Sequence, residues 1–301
     1  MTSNTELLAA TPPAETLQWV RRQIGGDVVG VEPLVGGTSH ANHVVRLATR
    51  RGEVEVVLRR WVRPDWAATD PEFSPDQEIA TYGLLAAGVG VPAPSLLAAD
   101  PGGAFCDVPA LLLSRAAGRP FAGTATSESL GQLAAILPAL HSADPAGARS
   151  RLAPYRPYYE PDRLRPPTWA GSPAVWARAI EIATGPAPAT TAAFIHRDYH
   201  QGNTLWLSGR LSAVVDWTSA SYGPPEVDVA HMRANLAMSF GCDVADEFRH
   251  HYVEAGGPAA FDPYWDLRDA VDFLPELTSG ERSNLELVRL EEFVARAVAS
   301  R

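Results

Sequence analysis

The sequence predicts an α+β fold whose first part is an antiparallel sheet and whose second part is mainly helical. Residues 28–61 alternate apolar and polar around Gly36-Gly37 and Arg51-Gly52, the pattern of strands joined by hairpins. Beyond Ala116-Ala117-Gly118 the apolar spacing becomes helical. With 301 residues, 46% of them hydrophobic, the chain has ample material for a core, in one large domain or two smaller ones.

Taken in order, residues 75–87 read as a helix that the Gly88-Val89-Gly90-Val91-Pro92 segment terminates. Residues 108–113 read as a short buried strand. Helices are expected over 129–141, 175–183, 227–240, 244–255, 263–273 and 284–300. Two stretches break the pattern. Residues 144–173, rich in Pro, Arg and Tyr, read either as a mobile insert over a substrate or as an elaborate surface connection; residues 185–191 form a Pro-Ala linker. The division falls into residues 1–115 and 116–301, with no internal repeat or low-complexity tail.

Composition narrows the partners. All 25 basic side chains are Arg, so every cation that touches an anion is a guanidinium. Residues 216–301 carry 16 acidic residues against 7 Arg, a balance of −9, whereas residues 1–215 are nearly neutral. Such an acidic region repels nucleic acid and anionic membranes. It would suit a cationic small molecule, or serve only as solvated helix faces. Spacings of three or four would put several of Asp262, Asp266, Asp269, Asp272 and Glu276 on one helical face. The N-terminus has no basic start and no apolar segment, and no apolar run approaches the roughly 18 residues of a membrane helix. A cytoplasmic protein is expected. Cys106 and Cys242 match no metal spacing and read as reduced core residues.

The chemistry is concentrated in His196-Arg197-Asp198-Tyr199-His200-Gln201-Gly202-Asn203, followed by Ala213-Val214-Val215-Asp216-Trp217. An Asp five residues before an Asn suits a loop that turns a carboxylate toward an acceptor hydroxyl and an amide oxygen toward a metal. A second Asp at the end of a buried strand can share that metal. Mg²⁺ prefers hard oxygen ligands and needs few from the protein when phosphates supply the rest. Singly, these residues are ordinary turn formers; together they read as a phosphoryl-transfer site.

The segment 194–231, with HRDYHQGN, VVDW and PPEVDVAH, resembles the aminoglycoside phosphotransferase family, relatives of the protein kinases. The resemblance spans nearly the whole chain, with its specific motifs in that segment. It implies a protein-kinase-like bilobal fold and an ATP- or GTP-dependent, Mg²⁺-requiring O-phosphotransferase. Asp198 is then the catalytic base, and Asn203 and Asp216 are the metal ligands. Gly36, Gly37 and Ser39 match the loop over the nucleotide phosphates. Arg59 stands where kinases place a phosphate-binding Lys, with Arg60 as a substitute, and Glu78 matches its helix partner. Ser114 marks the linker whose backbone meets the base. His196 is expected to fix the loop, and Asp228 to serve structurally at a helix start. His200 is divided between packing and contact with substrate or phosphate.

The implied acceptor is a small hydroxylated molecule such as an aminoglycoside antibiotic, with antibiotic resistance as the associated role. Trp and Tyr residues of 155–176 would stack on it or simply pack. A kinase of choline, homoserine or a sugar fits the same motif. A non-catalytic nucleotide-binding protein is the rival from another class, but Asp198, Asn203 and Asp216 are all present. A protein kinase is disfavoured, since Asp216-Trp217-Thr218 replaces Asp-Phe-Gly and no Ala-Pro-Glu follows.

Overall fold

The computed structural model describes residues 4–34, 39–69, 73–143, 147–275, 277 and 282–301. Gly36, Gly37 and Glu276 lie outside the described residues. The chain forms two compact units, Met1–Gly88 with Pro92–Ala117, and Val89–Val91 with Gly118–Arg301.

The first unit opens with α1 (Asn4–Ala9) and α2 (Ala14–Ile24), two helices that the sequence pattern does not announce. Strands β1 (Asp27–Pro33), β2 (Ala41–Thr49) and β3 (Gly52–Arg60) follow, then α3 (Trp66–Thr69), α4 (Pro75–Ala86), β4 (Leu96–Asp100) and β5 (Ala110–Ser114). The five strands form an antiparallel sheet in the order β1-β2-β3-β5-β4. Period-2 alternation decides its faces. Val45 and Leu47, Val56 and Leu58, Ala110 and Leu112 pack with Trp19 and Val20 of α2 into one buried cluster. Arg60 continues the face of Val56 and Leu58, and Arg59 points from the opposite one. Ser74 caps α4 by accepting the Gln77 N–H at 3.3 Å.

The second unit begins with β6 (Arg119–Pro120), α5 (Ser127–Ser142) and the short α6 (Ala148–Arg151), and continues through α7 (Pro173–Ala183) to β7 (Ala193–Ile195). Strands β8 (Thr204–Leu207) and β9 (Arg210–Val214) form a hairpin whose two turn residues, Ser208 and Gly209, have φ of 51° and 77°. Left-handed dihedrals at both positions match the right-handed twist of the strands. Then come β10 (Ser221–Gly223), α8 (Glu226–Phe240), α9 (Cys242–Glu254), α10 (Tyr264–Asp272) and α11 (Asn284–Ala299). The run Val227–Met238 of α8 is buried throughout, making it the central helix of this unit. Strand β7, which leads into the loop 196–203, pairs antiparallel with β10, which follows the Asp216 segment and leads into α8.

The proline-rich stretch is neither one helix nor plain coil. Pro154 bridges Tyr222, and Tyr155 packs on Gly223, where a Cβ would come within 2.3 Å of the Tyr155 Cβ. Trp176 is fully buried and donates its indole N–H to Glu291 at 2.9 Å, which makes it a packing residue. Among the described residues, no helix is long and apolar enough to cross a membrane.

Candidate active site

In the first unit, the face of β3 that carries Arg59 meets α4. Arg59 donates Nη1 to Glu78 Oε1 at 2.8 Å and Nε to Asn42 Oδ1 at 3.0 Å, with Arg59 and Glu78 both buried. Asn42 pairs with Arg59 in the β2–β3 register, so sheet geometry itself supplies the second anchor. Arg60 turns the other way, to Asp107 at 2.8 Å and the Ala10 carbonyl at 3.0 Å. Of the two arginines, Arg59 alone pairs with the helix glutamate. Ser39 is half-buried just before β2. The Ser114 hydroxyl accepts the Ser95 N–H at 2.8 Å, so its side chain ties β5 to the start of β4.

In the second unit, the loop after β7 is held by one buried carboxylate. Asp228, in the first turn of α8, accepts the His196 N–H at 2.9 Å and the Arg197 N–H at 2.7 Å, and is bonded by His141 Nε2 at 3.0 Å. Arg197 has a φ of 69°, a left-handed conformation uncommon for a side chain of its size. Its guanidinium bonds the Arg156 carbonyl and lies 4.0 Å from the centre of the Tyr158 ring. The Tyr158 N–H in turn donates to Asp272 at 3.2 Å. Residues 155–158 are thereby packed against the loop.

His196 joins this loop to the next. Its Nδ1 accepts the Asp198 N–H at 3.3 Å, which fixes the proton on Nε2, and Nε2 donates to the Val215 carbonyl at 3.0 Å. Asp216, one residue on, has a φ of 62° and accepts the Thr218 hydroxyl at 2.9 Å. Asn203 lies beside it, since the Val215 N–H donates to the Asn203 carbonyl at 2.9 Å.

Asp198 is the centre of the arrangement. Asn203 Nδ2 donates to its Oδ2 at 2.9 Å and its backbone carbonyl at 3.0 Å, while His231 Nε2 meets Oδ1 at 3.0 Å. Both partners of the Asn203 amide nitrogen are acceptors, which assigns that atom as nitrogen and its companion as the carbonyl oxygen. The Asp198 side chain remains 34% exposed, so a hydroxyl can approach it. Burial alone would raise its pKa; the His231 hydrogen bond and the nearby imidazoles prevail and hold the carboxyl well below the usual range.

His231 was not singled out by the motif. Its second nitrogen, Nδ1, lies 2.9 Å from Asp269 Oδ1. Burial would lower its pKa, but Asp269 and Asp198 on either side push it up to about 10. His200 differs: burial lowers it to about 4, and its Nδ1 accepts the Gly202 N–H at 3.1 Å. A Cβ at Gly202 would lie 2.6 Å from the His200 ring, so that position admits only glycine as the ring now sits. Asp198, His200 and His231 lie close enough to share a cation. Yet the neutral His200 keeps its proton on Nε2, and His231 uses both nitrogens for carboxylates. The cluster is therefore hydrogen-bonded rather than metal-ligating in form.

The acidic face expected on 262–276 is spent internally. Asp266 pairs with Arg233 at 3.1 Å, Asp269 with His231, Asp272 with Arg268, and Asp262 with Arg301. These described carboxylates are neutralised by the protein's own cations, which corrects the picture of an open acidic surface.

The arrangement suits orientation of a hydroxyl by Asp198, with an amide oxygen and a carboxylate, both hard donors, at Asn203 and Asp216. No curated protein matches the chain by sequence. Among solved structures, aminoglycoside phosphotransferase APH(4)-Ia matches with a TM-score of 0.63 at 17% identity, over 95% of this chain and 98% of that one. Macrolide 2'-phosphotransferase MphH from Brachybacterium faecium matches with a TM-score of 0.61 at 18% identity, over 95% and 99%. Spectinomycin phosphotransferase APH(9)-Ia, solved with ADP and spectinomycin, matches with a TM-score of 0.60 at 12% identity, over 95% and 97%. These likenesses fix the fold as kinase-like. The phosphotransferase enzyme family model matches residues 30–273, and the chain belongs to that family.

Proposed function

We propose that this phosphotransferase is an ATP-dependent kinase of a small hydroxylated molecule, an antibiotic or a related natural product. The observation that carries the reading is Asp198: ionised, fixed through both carboxylate oxygens, and still open to an incoming hydroxyl. Its role would be to accept the hydroxyl hydrogen and aim the oxygen for in-line attack on the γ-phosphorus, taking the proton as the new P–O bond forms and the bond to the departing ADP breaks. Such assistance is typically about 10²- to 10⁴-fold. The low basicity of Asp198 means that the proton moves late, when the attacking oxygen has already become acidic.

Asn203 and Asp216 would hold Mg²⁺; the amide oxygen of Asn203 is left by the bonding of its nitrogen, and both donors are hard. When bound, the ion supplies charge neutralisation of the phosphates. Arg59, braced by Glu78 and Asn42, would bind phosphate oxygens with the guanidinium edge that those contacts orient. ATP or GTP would be recognised through backbone beyond Ser114. The internal pairing of Asp262, Asp266, Asp269 and Asp272 removes the reason to prefer a polycation, so acceptors of low charge rank with aminoglycosides.

The test is ADP release from Mg-ATP with a panel of aminoglycosides, macrolides, choline, homoserine and sugars, against Asp198→Ala. Release that depends on one acceptor and vanishes in the variant identifies reaction and substrate class. ATP binding by the wild type with no ADP release for any acceptor would instead favour the non-catalytic nucleotide-binding alternative.

A further inference from the structure

His231 stands one helical turn after Asp228 on α8, so the two residues address the same loop. Asp228 holds backbone N–H groups; His231 reaches the functional side chain. Its imidazole lies between two carboxylates from different parts of the unit, Asp198 after β7 and Asp269 on α10. Both ring nitrogens are within hydrogen-bond distance of a carboxylate oxygen, which only an imidazolium satisfies with two donors. His231 and Asp269 are almost entirely enclosed, at 7% and 10% side-chain exposure. The His200 and Phe273 rings complete the surroundings, 5.7 and 5.3 Å away between centroids.

With Asn203 on Oδ2 and His231 on Oδ1, each Asp198 oxygen receives one donor, so the carboxylate plane cannot rotate without breaking a charge-assisted bond. One lone pair per oxygen remains for an acceptor. A structural histidine would be served by one carboxylate; here the second one is the reactive group itself.

Resting on the kinase reading above, we propose that His231, oriented by Asp269, is a positioning residue for phosphoryl transfer that fixes the Asp198 carboxylate toward the acceptor hydroxyl. Asp269 stands to His231 as an outer support, setting the ring angle through Nδ1 and so the direction in which Nε2 donates.

The experiment has two readouts. The first is steady-state ADP release from Mg-ATP with water as acceptor, for wild type, His231→Ala, His231→Gln and Asp269→Asn. His231→Ala is expected to lower kcat about tenfold or more with the KM for ATP unchanged. His231→Gln, which keeps an N–H near the Nε2 position, should restore much of that loss. Asp269→Asn should cost several-fold in the wild type and nothing further in the His231→Ala background. The second readout is ¹⁵N NMR of the histidine ring, which does not depend on turnover. Both His231 nitrogens should carry protons at pH 7.5, and their signals should move in Asp198→Asn. Wild-type kcat in a folded His231→Ala, or a loss with raised KM that His231→Gln fails to restore, overturns the inference. So does a neutral His231 ring. If the wild type releases no ADP with water or with any acceptor of the panel above, the kinase reading fails, and the ring signals alone decide whether His231 grips Asp198.

Discussion

Asp228 accepts the Arg197 N–H at 2.7 Å and so stabilises a peptide whose φ of 69° the side chain would otherwise disfavour. The same carboxylate takes the His196 N–H, and these bonds set the direction in which the chain enters Asp198. Replacing Asp228 by Asn presents an amide N–H to donors that need an acceptor. An unsatisfied buried donor costs about 1–3 kcal/mol. We expect Asp228→Asn to lose about 3 kcal/mol in urea unfolding and to lower kcat at least about tenfold, since the loop also positions the base. Unchanged stability would show that the loop conformation is set elsewhere.

The Arg59–Glu78 pair is buried on both sides, so removing one charge strands the other. Breaking a buried pair costs about 3–5 kcal/mol. Glu78→Gln should show a loss of that order together with a KM for ATP raised about tenfold, because Arg59 loses the partner that aims it. Asp107→Asn, which affects Arg60 on the opposite sheet face, should change stability without changing the KM for ATP. Equal effects of the two variants on KM would contradict the assignment of Arg59.

The acidic stretch of α10 gives a prediction that separates structure from substrate binding. Asp266 is buried against Arg233, and burial raises its pKa despite that arginine. Arg233 keeps Asp246 and the Ala245 carbonyl as partners, so Asp266→Asn should destabilise the protein by about 1–3 kcal/mol while leaving acceptor KM unchanged. A rise in acceptor KM with native stability would restore these carboxylates as a binding surface. Denaturant midpoints and acceptor titrations on the same preparations distinguish the two.

These outcomes trace what the sequence could and could not disclose. That Asp198, Asn203 and Asp216 come together is legible because their spacing is local: a short loop and a strand end impose it. The choice between Arg59 and Arg60 was implicit in period 2, since Val56 and Leu58 already mark the core face that Arg60 shares. His231 was within reach, three residues after Asp228 on one helix. Asp269 was not, because its meeting with His231 depends on how α8 and α10 pack. The internal pairing of the acidic stretch is hidden from the sequence for a related reason. Carboxylates cluster visibly along 262–272, but Arg233 and Arg301, which neutralise two of them, are remote in sequence. Helices α1 and α2 escaped notice because short helices are held mainly by packing, here Trp19 and Val20 on the sheet.

The His231 imidazolium also governs how stability depends on pH. Its pKa rises from an ordinary value of about 6.5 in the unfolded chain to about 10 when folded. Folding therefore binds a proton more tightly, and the resulting stability is complete below about pH 6.5 and declines as pH rises toward 10. The limiting slope is about 1.4 kcal/mol per pH unit for one proton. Asp198 acts at the other end: its folded pKa is depressed, so its contribution is present above the unfolded value and fades in acid. Cys106 and Cys242, raised to about 12 and about 11 by burial, add a decline of their own only once unfolded thiols ionise near pH 8.5. His200 and His43, both lowered by burial, oppose this trend while unfolded imidazoles still titrate, so the interval from about pH 7.5 to 8.5 isolates His231. Unfolding free energies measured across it should fall for the wild type and stay nearly level for His231→Gln; parallel curves would mean that the folded protein does not hold the proton on this ring.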